Sequence, residues 1–300
     1  MANLLKRISD SVFRVYERHD LSPYEHKPST TLPVYGVYHV FCDNGWQRIV
    51  ERQVSVLRES GLLAATRKLY VSIIAKDDAD VDALRRIVGN DKLEIVSCQT
   101  NPACYEYPAL EYVRQLSARE DALVYYFHTK GISYQTAESR DRRFLSFKRK
   151  IVSWCEMMEY FCFTKWQVAV NVLDSGYDTY GCYRWPPKRY TMYSGSFWWA
   201  RTDYIRTLPP FNPEVIATDR FYSEVWLYQR PHRDYSAFDT VADLYFVNIP
   251  RPIYAEGKPR LADVLRFVAV YNWRKFLKHA FGYSYKKHCQ QRFQKMKKAL

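Results

Sequence analysis

Four times between Val34 and Gly131 the chain writes an apolar run of strand length that ends in turn or polar residues. The runs are VYGVYHVF from Val34, KLYVSIIA from Lys68, KLEIVSCQT from Lys92 and ALVYYFHTKG from Ala122. Between them lie segments with helical spacing. In the first, Trp46, Ile49, Val50, Val54 and Leu57 recur at that period, and Gly61 supplies a stop. VDALRRIV and YPALEYVRQLS read as the next two helices. Strands that alternate with helices pair in parallel through right-handed crossovers. The predicted fold class is therefore α/β, a mostly parallel Rossmann-like sheet flanked by helices.

The second half reads differently. A long helical stretch covers about 143–174 with a possible break, YDTYGCYRW is a short strand, and YSGSFWWARTDYI is a strand feeding a helix. FYSEVWLYQR reads as a helix and DLYFVNIP as a strand or loop edge. Residues 1 to about 20 read as helical. With 47% hydrophobic and 17% aromatic residues in 300, the chain has apolar material for a sizeable core.

Several classes are excluded by what the sequence lacks. There is no G-x-x-x-x-G-K-[ST], no G-x-G-x-x-G, no H-E-x-x-H and no G-x-S-x-G. The seven cysteines form no C-x-x-C pair, so they suit free thiols in a reducing cytoplasm rather than a disulfide framework or zinc site. No run approaches ~20 apolar residues, and the N-terminal stretch lacks a signal-like apolar core.

Ligands of open α/β sheets sit at the carboxyl ends of the strands. Four polar clusters are expected there: CDNGW, KDD, HTKG and SGSFWWA. Each carries two readings. Asp43 and Asn44 are turn residues or nucleotide contacts. Asp77, Asp78 and Asp80 cap the next helix, or Asp78 and Asp80 are candidate metal ligands. Glu106 caps a helix or touches a ligand bound at the strand ends. His128, Lys130 and Gly131 end a strand, or meet a diphosphate as donor, cation and close backbone approach, with His128 also a candidate metal ligand. Ser194, Gly195 and Ser196 make a tight turn before Trp198 and Trp199, of which one is expected in the core and the other against a sugar. Glu224 is a surface acid or a general base, with Asp219 as a second candidate. Asp203 is expected to cap a helix.

The D-N-G-W turn after the first strand, EYP, YYFHTKGIS, MMEYF with a following tryptophan, YDTYGC, SGSFWWARTDYI and SEVWL occur in that order. Over roughly 34–227 this combination resembles bacterial and viral GT-A-type glycosyltransferases that build surface polysaccharides. The resemblance implies a GT-A-like domain over 31–255, with a donor half to about 135 and an acceptor half from 136. It follows an N-terminal segment over 1–30. It implies a nucleotide-sugar donor and a glycan or lipid-linked acceptor. In GT-A enzymes an acid-x-acid motif usually ends the fourth strand and holds a divalent metal. Here HTKG stands there, so manganese or magnesium is possible but not required by the motifs.

The net charge of +13 is concentrated at the end of the chain. From Tyr271 to Leu300 there are nine Lys or Arg residues and no Asp or Glu. Leu261, Val264, Leu265, Val268, Phe276 and Leu277 precede and overlap that run near helical spacing. A basic helical tail over 256–300, peripheral on an anionic membrane surface at its cytoplasmic face, is the expectation. The rival reading is a non-enzymatic nucleic-acid binder with a Rossmann-like body. No binding module for nucleic acid is recognisable, so none is expected as a partner.

Overall fold

The computed structural model describes residues 14–89, 91–219, 221–255 and 257–297. The chain divides into two compact units. One comprises His19–Ile132 and Met158–Ala237; the other takes residues up to 18, Ser133–Met157 and the chain from Phe238 onward. The acceptor half expected over 136–255 is thus split, and its outer parts group with the tail.

The first unit carries a seven-stranded sheet. Its strands are β1 (Val34–Phe41), β2 (Lys68–Ile74), β3 (Leu93–Gln99), β4 (Leu123–His128), β5 (Thr179–Gly181), β6 (Trp198–Arg201) and β7 (Asp234–Ser236). The spatial order is β7-β5-β6-β4-β1-β2-β3. Strand β1 pairs in parallel with both β2 and β4, and β2 with β3, as strand–helix alternation requires. The departure is β6, which runs antiparallel to both β4 and β5.

Both faces of the sheet are covered, which explains why the central strands are apolar throughout rather than alternating. Helix α1 (Trp46–Glu59) buries Trp46, Ile49, Val50, Val54 and Leu57, the stripe expected from the sequence, together with Gln53. Helix α2 (Asp78–Val88) starts at Asp77, whose carboxylate accepts from the Asp80 amide. Helix α3 (Tyr107–Arg119) packs Ala109, Leu110, Val113 and Leu116 into one core with Tyr35, Val37, Val124, Tyr126 and Trp198. On the opposite face Tyr38 stacks on Phe127, and Tyr125 packs at a tilt against Trp199. The glycine in β1 is explained by this crowding. A Cβ on Gly36 would lie 2.5 Å from the Tyr125 ring and 2.6 Å from Leu69.

The long helical stretch is broken as its sequence suggested. Helix α4 (Arg142–Glu159) runs into a π-helical turn over Tyr160–Thr164, then α5 (Trp166–Asp174). The expectations for residues 1–20 and for FYSEVWLYQR fail, and of the two readings of DLYFVNIP the loop holds. Tyr16–Arg18 is a strand paired with Phe238–Thr240, not the end of a helix; residues 1–13 lie outside the described residues. DLYFVNIP forms turns, since Asp243 accepts from the amide of Tyr245 and its carbonyl from those of Phe246 and Val247. FYSEVWLYQR yields only a four-residue helix, Tyr222–Val225, and a 3-10 turn.

In the second unit the tail is two helices, α6 (Leu261–Phe281) and α7 (Tyr285–Lys297). It is docked rather than free. Phe293 of α7 is buried against Tyr134 and Phe144, at ring distances of 4.4 and 5.7 Å. Arg292 donates to Asp141 at 2.9 Å through Nε. No helix among the described residues is long and apolar enough to cross a membrane.

Candidate functional site

The strand order reverses between β1 and β4. The chain leaves β1 towards β2 on one side and returns as β4 on the other. At such a switch point the two flanking connections part, leaving a crevice beyond the carboxyl ends of the strands. His39 of β1 and His128 of β4 stand side by side in register at that edge. Pairing continues one residue further. Thr129 donates its amide to the His39 carbonyl at 3.1 Å, and its hydroxyl accepts from the Phe41 amide at 3.0 Å. Lys130 then folds back, its amide donating to the His128 carbonyl at 2.7 Å. Gly131 follows at φ 72°, a conformation glycine adopts without a steric cost. HTKG therefore ends a central strand abruptly and leaves a lysine at its tip.

Alternation along β4 puts Val124, Tyr126 and His128 on the face covered by α3. Glu106 stands at the head of that helix and meets them. His128 Nδ1 lies 2.8 Å from Glu106 Oε1, and the Tyr126 hydroxyl donates to Glu106 Oε2 at 3.1 Å. His128 Nε2 lies 3.0 Å from the carbonyl oxygen of Gly195. Both ring nitrogens thus face oxygen acceptors, and only the doubly protonated ring satisfies both. Burial alone would raise the Glu106 carboxyl. The charge and hydrogen bond of His128, with the charges of Lys130 and His39, outweigh it and hold Glu106 well below the carboxylate range. His39, 4% exposed, is pushed the other way, down to about 4, by burial first and by His128, against the pull of Glu106. Its Nδ1 is buried and has no hydrogen-bond partner.

This clamp fixes the turn over Ser194–Ser196. Gly195 sits at φ 90° and Ser196 at φ 57°, a left-handed backbone that is uncommon for serine. The Ser196 hydroxyl is buried and unpartnered, and Ser194 donates to the Tyr183 hydroxyl at 2.7 Å.

Lys130, with a side chain 10% exposed, faces Glu224 at 3.6 Å. Of the two candidate bases, Glu224 is the one beside the strand tip. Asp219 is exposed and accepts the Phe221 amide at 2.9 Å, a local turn bond.

The remaining candidates separate into surface and core. Asn44 is exposed and accepts from Lys76 at 3.1 Å, which links the ends of β1 and β2. Asp43 accepts the Asn44 amide at 2.8 Å. Asp80 uses one oxygen on Trp46 Nε1 and the other on the Lys76 amide, both at 2.9 Å. Asp78 is exposed in the first turn of α2. Trp198 and Trp199 are both buried, which corrects the expectation that one of them stacks on a sugar. They lie on opposite faces of a sheet covered on both sides. Trp198 stacks on Tyr126, and Trp199 donates Nε1 to the Cys162 carbonyl at 2.9 Å. Asp203 pairs with Arg201 and accepts the Tyr204 amide.

The donor set at the β4 tip does not fit a divalent cation. Both nitrogens of His128 are taken by protein oxygens, and Lys130 adds positive charge. Asp80 is engaged in structural bonds. Among the described residues no group of three or more His, Cys, Asp or Glu side chains is placed to hold a metal ion.

Four participants were not singled out from the sequence: His39, Gln53, Tyr126 and Thr129. Gln53 accepts from the Tyr38 hydroxyl at 2.5 Å and donates to the His128 carbonyl at 3.2 Å. Its signal was available, since it is the one polar residue on the buried stripe of α1.

No family model matches the sequence, and no curated protein matches it. Among solved structures, a similar chain is the 4-diphosphocytidyl-2C-methyl-D-erythritol synthase of Anaerococcus prevotii. It is 8% identical over 80% of this chain and 99% of that one, with a TM-score of 0.35.

Proposed function

We propose that the chain is a GT-A-like glycosyltransferase that moves a sugar from a nucleotide-sugar donor to a glycan or lipid-linked acceptor. The observation that carries this reading is Lys130 at the tip of β4, where the strand order reverses, facing Glu224 at 3.6 Å. Transfer breaks the bond between the anomeric carbon and the diphosphate oxygen and forms one to an acceptor hydroxyl. The leaving diphosphate gains negative charge, which a fixed cation stabilises most in the transition state. Lys130 supplies that cation. In an inverting reaction Glu224 takes the proton that the acceptor hydroxyl loses. A diphosphate on Lys130 competes with Glu224 for the ammonium, so donor binding releases the carboxylate for that task.

The Glu106–His128–Gly195 clamp serves as the rigid base of the site. Its charges are internally paired, leaving Lys130 as the group that meets the donor. The tail supplies a membrane face in this reading. Leu261, Leu265, Trp273, Phe276 and Phe281 are all at least half exposed, and lysines stand among and after them. Such a surface suits an anionic bilayer interface.

The test is slow hydrolysis of a panel of nucleoside-diphosphate sugars by the full chain, with and without EDTA. Release of nucleoside diphosphate from one donor in EDTA supports the reading. No turnover and no binding across the panel overturns it.

A further inference from the structure

The second unit buries positive charge that the described residues balance only in part. A cavity of about 380 Å³ opens between α4 and α6, lined among others by Arg149, Lys150, Asn248, Asp263, Arg266 and Arg274. Lys150 is 5% exposed. Its ammonium donates to the Ser146 carbonyl at 2.9 Å, the Ser146 hydroxyl at 3.0 Å and the Tyr285 hydroxyl at 3.0 Å. All three partners are neutral, and the lysine forms no ion pair among the described residues. The Arg274 guanidinium lies 3.9 Å from the centre of the Tyr285 ring, and its Nη1 is buried without a hydrogen-bond partner. Arg149 and Arg266 are exposed, and neither forms an ion pair among the described residues. Against these four cations the cavity wall offers one carboxylate, Asp263.

Desolvating an ammonium or guanidinium without a counter-charge is costly, so buried cations are normally paired. A surface of solvated lysines would show no such strain. Here burial and the like charge of Arg274, with a smaller share from Arg149, pull Lys150 down to about 8 against the opposing influence of Cys289. The four cations come from two elements. Arg149 and Lys150 are on α4, while Arg266 and Arg274 lie two turns apart on α6, on the same face as Asp263.

We infer that this cavity is a binding site for a phosphate or diphosphate group, held by Lys150 and Arg274 within and by Arg149 and Arg266 at the more exposed wall. Arginine's planar fork and the lysine point charge are the usual recognition set for phosphate oxygens. The site is separate from the strand-end crevice and stands whether or not the chain transfers sugars. The phosphate belongs either to a soluble compound or to a lipid headgroup.

Inorganic pyrophosphate titrated into the full chain by calorimetry tests it. Saturable one-to-one binding is expected. Arg266→Ala, an exposed position that leaves the fold alone, weakens it about tenfold or more, as loss of a charge-assisted bond does. Arg274→Gln does the same. A Lys275→Ala/Lys278→Ala variant, which removes tail cations outside the cavity, leaves the affinity unchanged. Vesicles of phosphatidylcholine with and without phosphatidate separate the sources. If pyrophosphate displaces the chain from phosphatidate vesicles, the headgroup enters the cavity. If vesicles bind without competition, or do not bind, the soluble phosphate is the ligand. Absence of saturable pyrophosphate binding overturns the inference. So does a loss in the Lys275/Lys278 variant as large as in Arg266→Ala, because the anion is then held by the tail's surface charge.

Discussion

Glu106→Gln isolates one charge in the candidate site. The amide keeps the shape of the carboxylate and an oxygen for His128 Nδ1, so what is lost is the counter-charge to a buried ring. The two side chains are 14% and 8% exposed and 2.8 Å apart. At an effective dielectric of about 20, unit charges this close attract by about 4 kcal/mol or more, and breaking such a buried pair typically costs about 3–5 kcal/mol. A loss of about 3 kcal/mol follows, or a Tm drop of about 6–12 °C for a domain of this size. The loss depends on pH in a defined direction. The Glu106 carboxyl is held below its unfolded value, so its stabilisation is fully present above about 4.5 and disappears as pH falls through the folded value. Scanning calorimetry of both proteins at pH 7 and pH 4 measures it. A gap at pH 7 that narrows at pH 4 is expected. A variant melting within about 1 °C of wild type at pH 7 refutes the claim that the clamp is an ion pair.

Three further outcomes follow from the same geometry. His39 is held down to about 4, so the unfolded chain takes up a proton between about 6.5 and 4 that the folded one refuses. Wild type should therefore lose about 3 kcal/mol more than His39→Gln between pH 7 and pH 4 in urea unfolding, and equal losses would contradict it. Glu224→Gln should lower transfer by about 10²–10⁴-fold with donor affinity nearly unchanged, measured by initial rates and calorimetry; retained turnover would favour a retaining mechanism or another base. Trp273→Glu with Phe276→Glu, both at exposed positions, should abolish flotation with anionic liposomes, and undiminished flotation would remove the membrane role of α6.

The sheet was legible because its signal is periodic. Apolar runs of strand length and the α1 stripe repeat over many residues, so tertiary context does not overturn them. The site was legible only in outline. HTKG marked a polar tip on β4, and Lys130 and Glu224 were each picked out, but nothing local places them 3.6 Å apart across 94 positions of chain. The tryptophan pair misled because alternation tells which residues face opposite ways, not whether both faces are covered. Asp80 drew attention as an acid in an acidic run, while its oxygens serve Trp46 and Lys76. His39 read as one more strand residue, since its register against His128 is a property of the sheet. The tail's charge was plain from composition. Its docking through Phe293 and Arg292 was not, because the partners, Tyr134, Phe144 and Asp141, lie more than 140 residues earlier.

The central claim is that a lysine, rather than a metal held by acids, meets the donor diphosphate at the tip of β4. Calorimetric titration of a nucleoside-diphosphate sugar into wild type, Lys130→Ala and Lys130→Arg, each with manganese and with EDTA, tests it most directly. The account predicts that wild type binds equally well in EDTA. It predicts that Lys130→Ala weakens binding by about 10- to 100-fold, and that Lys130→Arg restores it poorly, because a planar fork does not reproduce a compact ammonium. Normal donor affinity in Lys130→Ala, together with loss of wild-type binding in EDTA, would contradict it.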